Sequence, residues 1–147
     1  MTYGWAILVV LLAIGALAYF GVLSPQTILP ERTVFPAPLP NLDTAQLRAD
    51  GGEIEIAFKN NKGVKINIAD GSSNAGVDPE TGSDCTLGNF TSDKSEISNG
   101  ENFILTWDCD ENMTAGDQFK GTLKFNYVNN QTGQTITHSG SVDGSWN

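Results

Sequence analysis

An uncharged apolar run at the start, a cluster of prolines after it and a following stretch of alternating hydrophobicity predict an α+β chain. In that prediction a long apolar N-terminal α-helix leads into an immunoglobulin-like antiparallel β-sandwich. The chain has 147 residues, enough for one folded domain with an appendage. The expected divisions are a hydrophobic helix over 1–24, a Pro-rich linker over 25–40 and a β-sandwich outer domain over 41–147.

The helix comes first. Thr2–Leu23 reads TYGWAILVVLLAIGALAYFGVL without one charged side chain, and the first charge is Glu31. At 1.5 Å per residue this run makes a helix of about 33 Å, enough to cross a hydrocarbon core of ~30 Å. Tyr3 and Trp5 mark one end and Tyr19 and Phe20 the other, as amphipathic rings do at two membrane–water interfaces. The apolar residues favour no single face, so every side of the helix needs lipid or protein around it. Ala13, Gly15, Ala16, Ala18 and Gly21 crowd small residues into its second half, where they let helix backbones approach closely. A cleavable signal peptide fits less well, because the run lacks a basic start and a small-x-small cleavage site. A permanent single-pass anchor is the stronger rival.

Five of the six prolines lie between Pro25 and Pro40. Pro25 ends the helix, since proline lacks an N–H and clashes with the preceding turn. The rest favour an extended, semi-stiff connector. Beyond Asn41 the period changes to two, the signature of strands. Ile54, Ile56 and Phe58 form one inward set, and Val64, Ile66 and Ile68 another. Phe103, Leu105, Trp107 and Cys109 are in phase, as are Phe119, Leu123, Phe125 and Tyr127. A loop over Asn129–Gly133 returns the chain into Thr135–Val142. Roughly six to eight short strands with Gly/Asn-rich turns read as a sandwich.

The formal net charge is −9, all of it beyond residue 40 because Glu31 and Arg32 cancel. Lys and Arg are few and form no basic patch with aromatics, which excludes nucleic acid as a partner. The two cysteines, Cys85 and Cys109, lie downstream of the apolar run, and an even count in a chain bound for the exterior favours a disulfide. Unpaired buried thiols are the alternative; a metal site with His138 lacks the close Cys-x-x-Cys spacing of zinc sites. His138, the only histidine, is in phase with Ile136 and Val142 and reads as structural. The acidic stretches Asp78–Asp84 and Asp108–Glu111 lack EF-hand spacing and read as solvated loops. No nucleophile elbow, P-loop or dinucleotide fingerprint occurs, so the chain is not expected to be an enzyme and no cofactor is expected. Asn89, Asn112 and Asn130 each begin an Asn-x-Ser/Thr sequon, a glycan acceptor in an exported chain.

The string Met1–Val10, MTYGWAILVV, resembles the hydrophobic segment of archaeal type IV pilins made with class III signal peptides. Phe119–Leu123 followed by Thr137–Val142 is similar to the closing strands of such pilins. Pilins of this type carry a Glu just before the string, a residue this sequence does not include. The resemblance implies a structural subunit of an extracellular filament used for surface adhesion and cell–cell contact. It implies a membrane-embedded precursor whose helix then packs into the filament core, with Ala13, Gly15, Ala16 and Ala18 at the packing surface. Its partners would be further copies of itself, a leader peptidase, an assembly ATPase and a membrane platform protein. A membrane-anchored extracellular binding module is the alternative.

Overall fold

A computed structural model describes residues 2–19, 31–81 and 85–147, and the chain divides into two units, Met1–Pro30 and Glu31–Asn147. In the first unit, helix α1 spans Gly4–Tyr19. Leu and Ala are strong helix formers, whereas Gly4, Gly15 and the β-branched Ile7, Val9, Val10 and Ile14 are weaker ones. Its first turn carries no acidic side chain and its last no basic one, so no charge offsets the helix dipole. At its start the Trp5 indole Nε1 donates to the Thr2 carbonyl at 3.1 Å.

The expected fold class needs correction here. The helix is 16 residues, about 24 Å at the usual rise, not the 22-residue element read from Thr2–Leu23. Among the described residues no helix is long and apolar enough to cross a membrane. Phe20–Leu23 lie outside the described residues, as does Pro25, the expected helix stop. Among the described residues strand accounts for 47% and helix for 15%, so they are mostly β with one short helix, not α+β with a long one. Hydropathy measures how apolar a stretch is, not how far its backbone stays helical.

The second unit holds ten strands among its described residues: β1 Arg32–Val34, β2 Gln46–Arg48, β3 Glu53–Lys59, β4 Ile66–Asn67, β5 Ala75–Thr81, β6 Leu87–Ser92, β7 Glu96–Ile97, β8 Asn102–Cys109, β9 Gln118–Asn129 and β10 Thr135–Ser145. A larger sheet runs β1-β10-β9-β4-β7, with β5 also paired to β9; a smaller one runs β2-β3-β8-β6. Every pairing is antiparallel. The long β9 gives one edge to β10 and divides the other, Lys120–Phe125 to β5 and Val128–Asn129 to β4.

The period-two residues of β3 and β8 turn inward as expected, and so do Ile66 and Ile68, whereas Val64 is half-buried and outside the strands. Ile54, Ile56 and Phe58 on β3 stand opposite Trp107, Leu105 and Phe103 on β8, and all six are buried. Phe125 of the larger sheet meets Phe58 at 5.4 Å, Trp107 at 6.0 Å and Phe90 at 6.5 Å between ring centroids, so one core lies between the two sheets. The Trp107 indole also donates across the core to the Lys124 carbonyl at 3.2 Å. This arrangement is compatible with a β-sandwich.

The expected linker needs a second correction. Its far half, residues 31–40, is built into the β unit. Arg32, Thr33 and Val34 pair with Asp143, Val142 and Ser141 on β10. Phe35 and Leu39 are both buried in the core. The Phe35 ring packs edge-on against Phe58 at 4.8 Å, and a Cβ at Gly140 would collide with that ring and with the Val34 carbonyl. The strap therefore needs a glycine on β10. Prolines do not prevent any of this, since proline lacks only the donor: the Pro38 carbonyl accepts from the Asn61 N–H at 3.1 Å and the Pro40 carbonyl from the Lys59 N–H at 3.2 Å.

Candidate functional site

Two surfaces face opposite tasks: α1 is open on all sides, and the β unit is closed. No residue of α1 is buried. Trp5 is 70% exposed, Leu8 67% and Leu12 74%. Covering its ten exposed large apolar side chains would be worth on the order of 15–30 kcal/mol gross, at ~1.5–3 kcal/mol each. Tyr3, Ala6, Ile7, Val10 and Leu11 line a shallow, wholly apolar groove of about 280 Å³ along the helix. Their spacing is the three-and-four alternation by which one helix receives the side chains of another. Of the residues expected to pack, Ala13, Gly15 and Ala18 are exposed and Ala16 is half-exposed. A Cβ at Gly15 would meet nothing within 4 Å, so the single chain gives no reason for a glycine there.

In the β unit every described Phe, Tyr and Trp is buried. Its surface thus offers no aromatic platform on which a sugar or other flat ligand could stack. The surface clefts are shallow, such as the one between Asn67, Asp70, Ser92 and Glu96.

Three of the sheet edges, at β1, β6 and β2, are also occupied. On β1 the Asn41 amide takes the place of a strand: its Oδ1 accepts from the Phe35 N–H at 2.9 Å and its Nδ2 donates to the Thr33 carbonyl at 3.1 Å. On β6 the Gly71 N–H donates to the Phe90 carbonyl at 2.8 Å, and the Ser92 N–H donates to Asp70 Oδ1 at 2.8 Å. On β2 the last residue closes the edge, the Asn147 N–H donating to the Leu47 carbonyl and the Ala49 N–H to the Asn147 carbonyl, both at 3.0 Å. An unpaired edge is a template for another strand, and these three are satisfied from within the chain.

The cysteines are joined. Cys85 and Cys109 form a disulfide that ties the C-terminal end of β8 to the residue two before β6, and both are buried. The bond removes the unpaired-thiol and metal alternatives. All three sequon asparagines are exposed. Asn89 lies on β6, its Oδ1 accepting from the Phe90 N–H. Asn112 follows β8 and its Oδ1 accepts from the Gly51 N–H at 3.2 Å, while Asn130 sits in the β9–β10 hairpin loop.

His138 is buried, with Nε2 3.0 Å from the Leu39 carbonyl and its ring against Phe35 and Phe125. Lys62 is the one charged group among the described residues that acts on it. Burial pushes its pKa below the ordinary histidine value, against the Leu39 and Pro36 carbonyls, which favour the charged ring. Of the first acidic stretch, Asp78 pairs with Lys124 at 3.0 Å and Glu80 with Lys120 at 3.9 Å; Gly82–Asp84 lie outside the described residues. Among the described residues no group of three or more His, Cys, Asp or Glu side chains could hold a metal ion.

Sequence reasoning passed over Asn41 and Asn60. Asn60 is fully buried and donates to the Val64 and Ile97 carbonyls while accepting from the Lys62 N–H. The one signal for both was an Asn at the end of a predicted strand or linker. No family model, curated protein or solved structure matches the chain.

Proposed function

We propose that the chain is a structural subunit of an extracellular archaeal type IV pilus, polymerising through its N-terminal helix for surface adhesion and cell–cell contact. The observation that carries the reading is α1: apolar on every side, with none of its residues buried, and attached to a chain whose other unit has a complete core. Such a helix cannot stay in water, and a bundle of identical helices satisfies it on all faces at once. The resemblance of MTYGWAILVV to pilin segments supports the same reading, as do the bonded edges at β1, β2 and β6 and the absence of any aromatic platform among the described residues of the β unit. In this reading the helix is held in the membrane before assembly, and a leader peptidase, an assembly ATPase and a platform protein deliver it to the filament. Glycans on Asn89, Asn112 or Asn130 would hydrate the exterior, and an intact mass above that of the bare polypeptide would register them.

Electron microscopy of material sheared from the cell surface tests the proposal. Filaments labelled by an antibody to the β unit are expected. Protein found only as a lipid-embedded monomer would turn the reading to an anchored binding module.

A further inference from the structure

Residues 31–40 are the one route by which the chain passes from its first unit into the β unit, and their seat contains the only histidine. Leu39 is fully buried, its carbonyl 3.0 Å from His138 Nε2, and Phe35 lies against the same ring at 5.8 Å between centroids. Phe125 of β9 also meets the ring, edge to face, at 5.5 Å. We propose that His138 is an acid-operated latch on this strap, holding residues 33–41 against the core while its ring is neutral and releasing them when the ring takes a proton.

The surroundings set the direction. The strap segment 35–39 brings no ionisable side chain to the ring. Strand β9 brings Phe125 and, two residues on, Tyr127, whose hydroxyl accepts from Lys62 Nζ at 3.2 Å. Lys62 is the charge that acts on the ring, and it is positive. A protonated ring therefore loses its water, gains a cation as neighbour and finds no carboxylate. It recovers only the Leu39 and Pro36 carbonyls, which accept from the two N–H groups of the charged form. Burial outweighs those carbonyls, and the folded-state pKa falls below the ordinary 6.5. With the strap open the ring is hydrated and titrates near 6.5. The open form then binds more protons at any pH between the two values, so opening is suppressed above 6.5 and grows as pH falls from 6.5 toward the folded pKa. One proton bound on opening corresponds to up to about tenfold more open strap per pH unit in that window.

The test uses the full-length chain in detergent micelles. The His138 imidazole is titrated by NMR from pH 7.5 to 4.5, and amide hydrogen exchange is followed over the same range after correction for the intrinsic pH dependence of exchange. The expected result is a ring that stays neutral well below pH 6.5. With it, the opening constant at the Phe35 amide should rise by up to tenfold per pH unit, while the β8 amides stay protected. His138→Gln keeps a donor for the Leu39 carbonyl but cannot titrate, and should flatten the response of the strap. If that variant does not fold, the wild-type ring titration and strap exchange decide together. A ring titrating at or above 6.5, strap exchange indifferent to pH, or an unchanged pH response in His138→Gln would overturn the latch. None of these outcomes depends on whether the chain forms filaments.

Discussion

The two units of the chain spend their apolar residues in opposite ways. In the β unit hydrophobic side chains alternate with polar ones, every aromatic is buried, and edges β1, β2 and β6 are bonded from within. In α1 there is no alternation, no charge and no buried residue. One unit is finished as a monomer and the other is unfinished until something else covers it. The contrast separates two kinds of mutation: those felt by a single chain and those felt only by an assembly.

The sharpest test falls on Gly15. Arg fits there in the isolated chain, because nothing lies within 4 Å of the added Cβ. Gly15→Arg is expected to abolish filaments, since a polymer would bury the same unpaired charge in every subunit. Far- and near-ultraviolet circular dichroism should meanwhile report an unchanged β unit. Filaments of normal yield from this variant would erase the contrast.

The second test moves the boundary. A fragment starting at Glu31 keeps β1, Phe35 and Leu39; one starting at Asn41 loses them. Removing two fully packed side chains costs about 5 kcal/mol or more, comparable with the whole stability of a small domain. Urea unfolding should show a cooperative transition for both fragments, with a greatly lowered midpoint for the shorter. Equal midpoints would return residues 31–40 to the status of a linker.

Those residues also show what pattern reading can and cannot recover. Strands β3, β8, β9 and β10 were legible because their buried residues fall at every second position. Strand β1 was hidden among prolines and is only three residues long; β7 is two. Strand β5, AGVDPET, carries a proline, two acids and no alternation, and its pairing with β9 depends on tertiary context. The cysteine pair was legible from parity and expected export. The Asn41 clamp was not, because a side chain imitating a backbone leaves no periodic trace.

A smaller effect is expected from the disulfide. Cys85 and Cys109 are 24 residues apart, and closing a loop of that size is worth ~3 kcal/mol in the chain-entropy picture. Reduction under denaturant should lower the unfolding midpoint of the β unit by that order without altering α1, which has no part in the loop. Free thiols in the unreduced, denatured protein would contradict the pairing itself.

The finest test is Asn41→Ala. It orphans the Phe35 N–H and the Thr33 carbonyl, at a cost of about 1–3 kcal/mol for unmade hydrogen bonds in a partly buried site. It also uncovers a strand edge, so sedimentation should reveal concentration-dependent association of the Glu31–Asn147 unit that the wild type lacks. A variant that stays monomeric would show that the edge is guarded by something other than this amide.

Asn41 has a meaning for any array in which many copies of the domain are held side by side. Tethered neighbours meet at millimolar local concentration, where even a poor backbone template finds a match. Backbone is the same in every protein and cannot discriminate, so a bare edge would glue the domain to any strand nearby. With the edge already occupied, crowding is harmless. Contacts between neighbours are left to side chains, which can be altered one codon at a time without disturbing the fold beneath them.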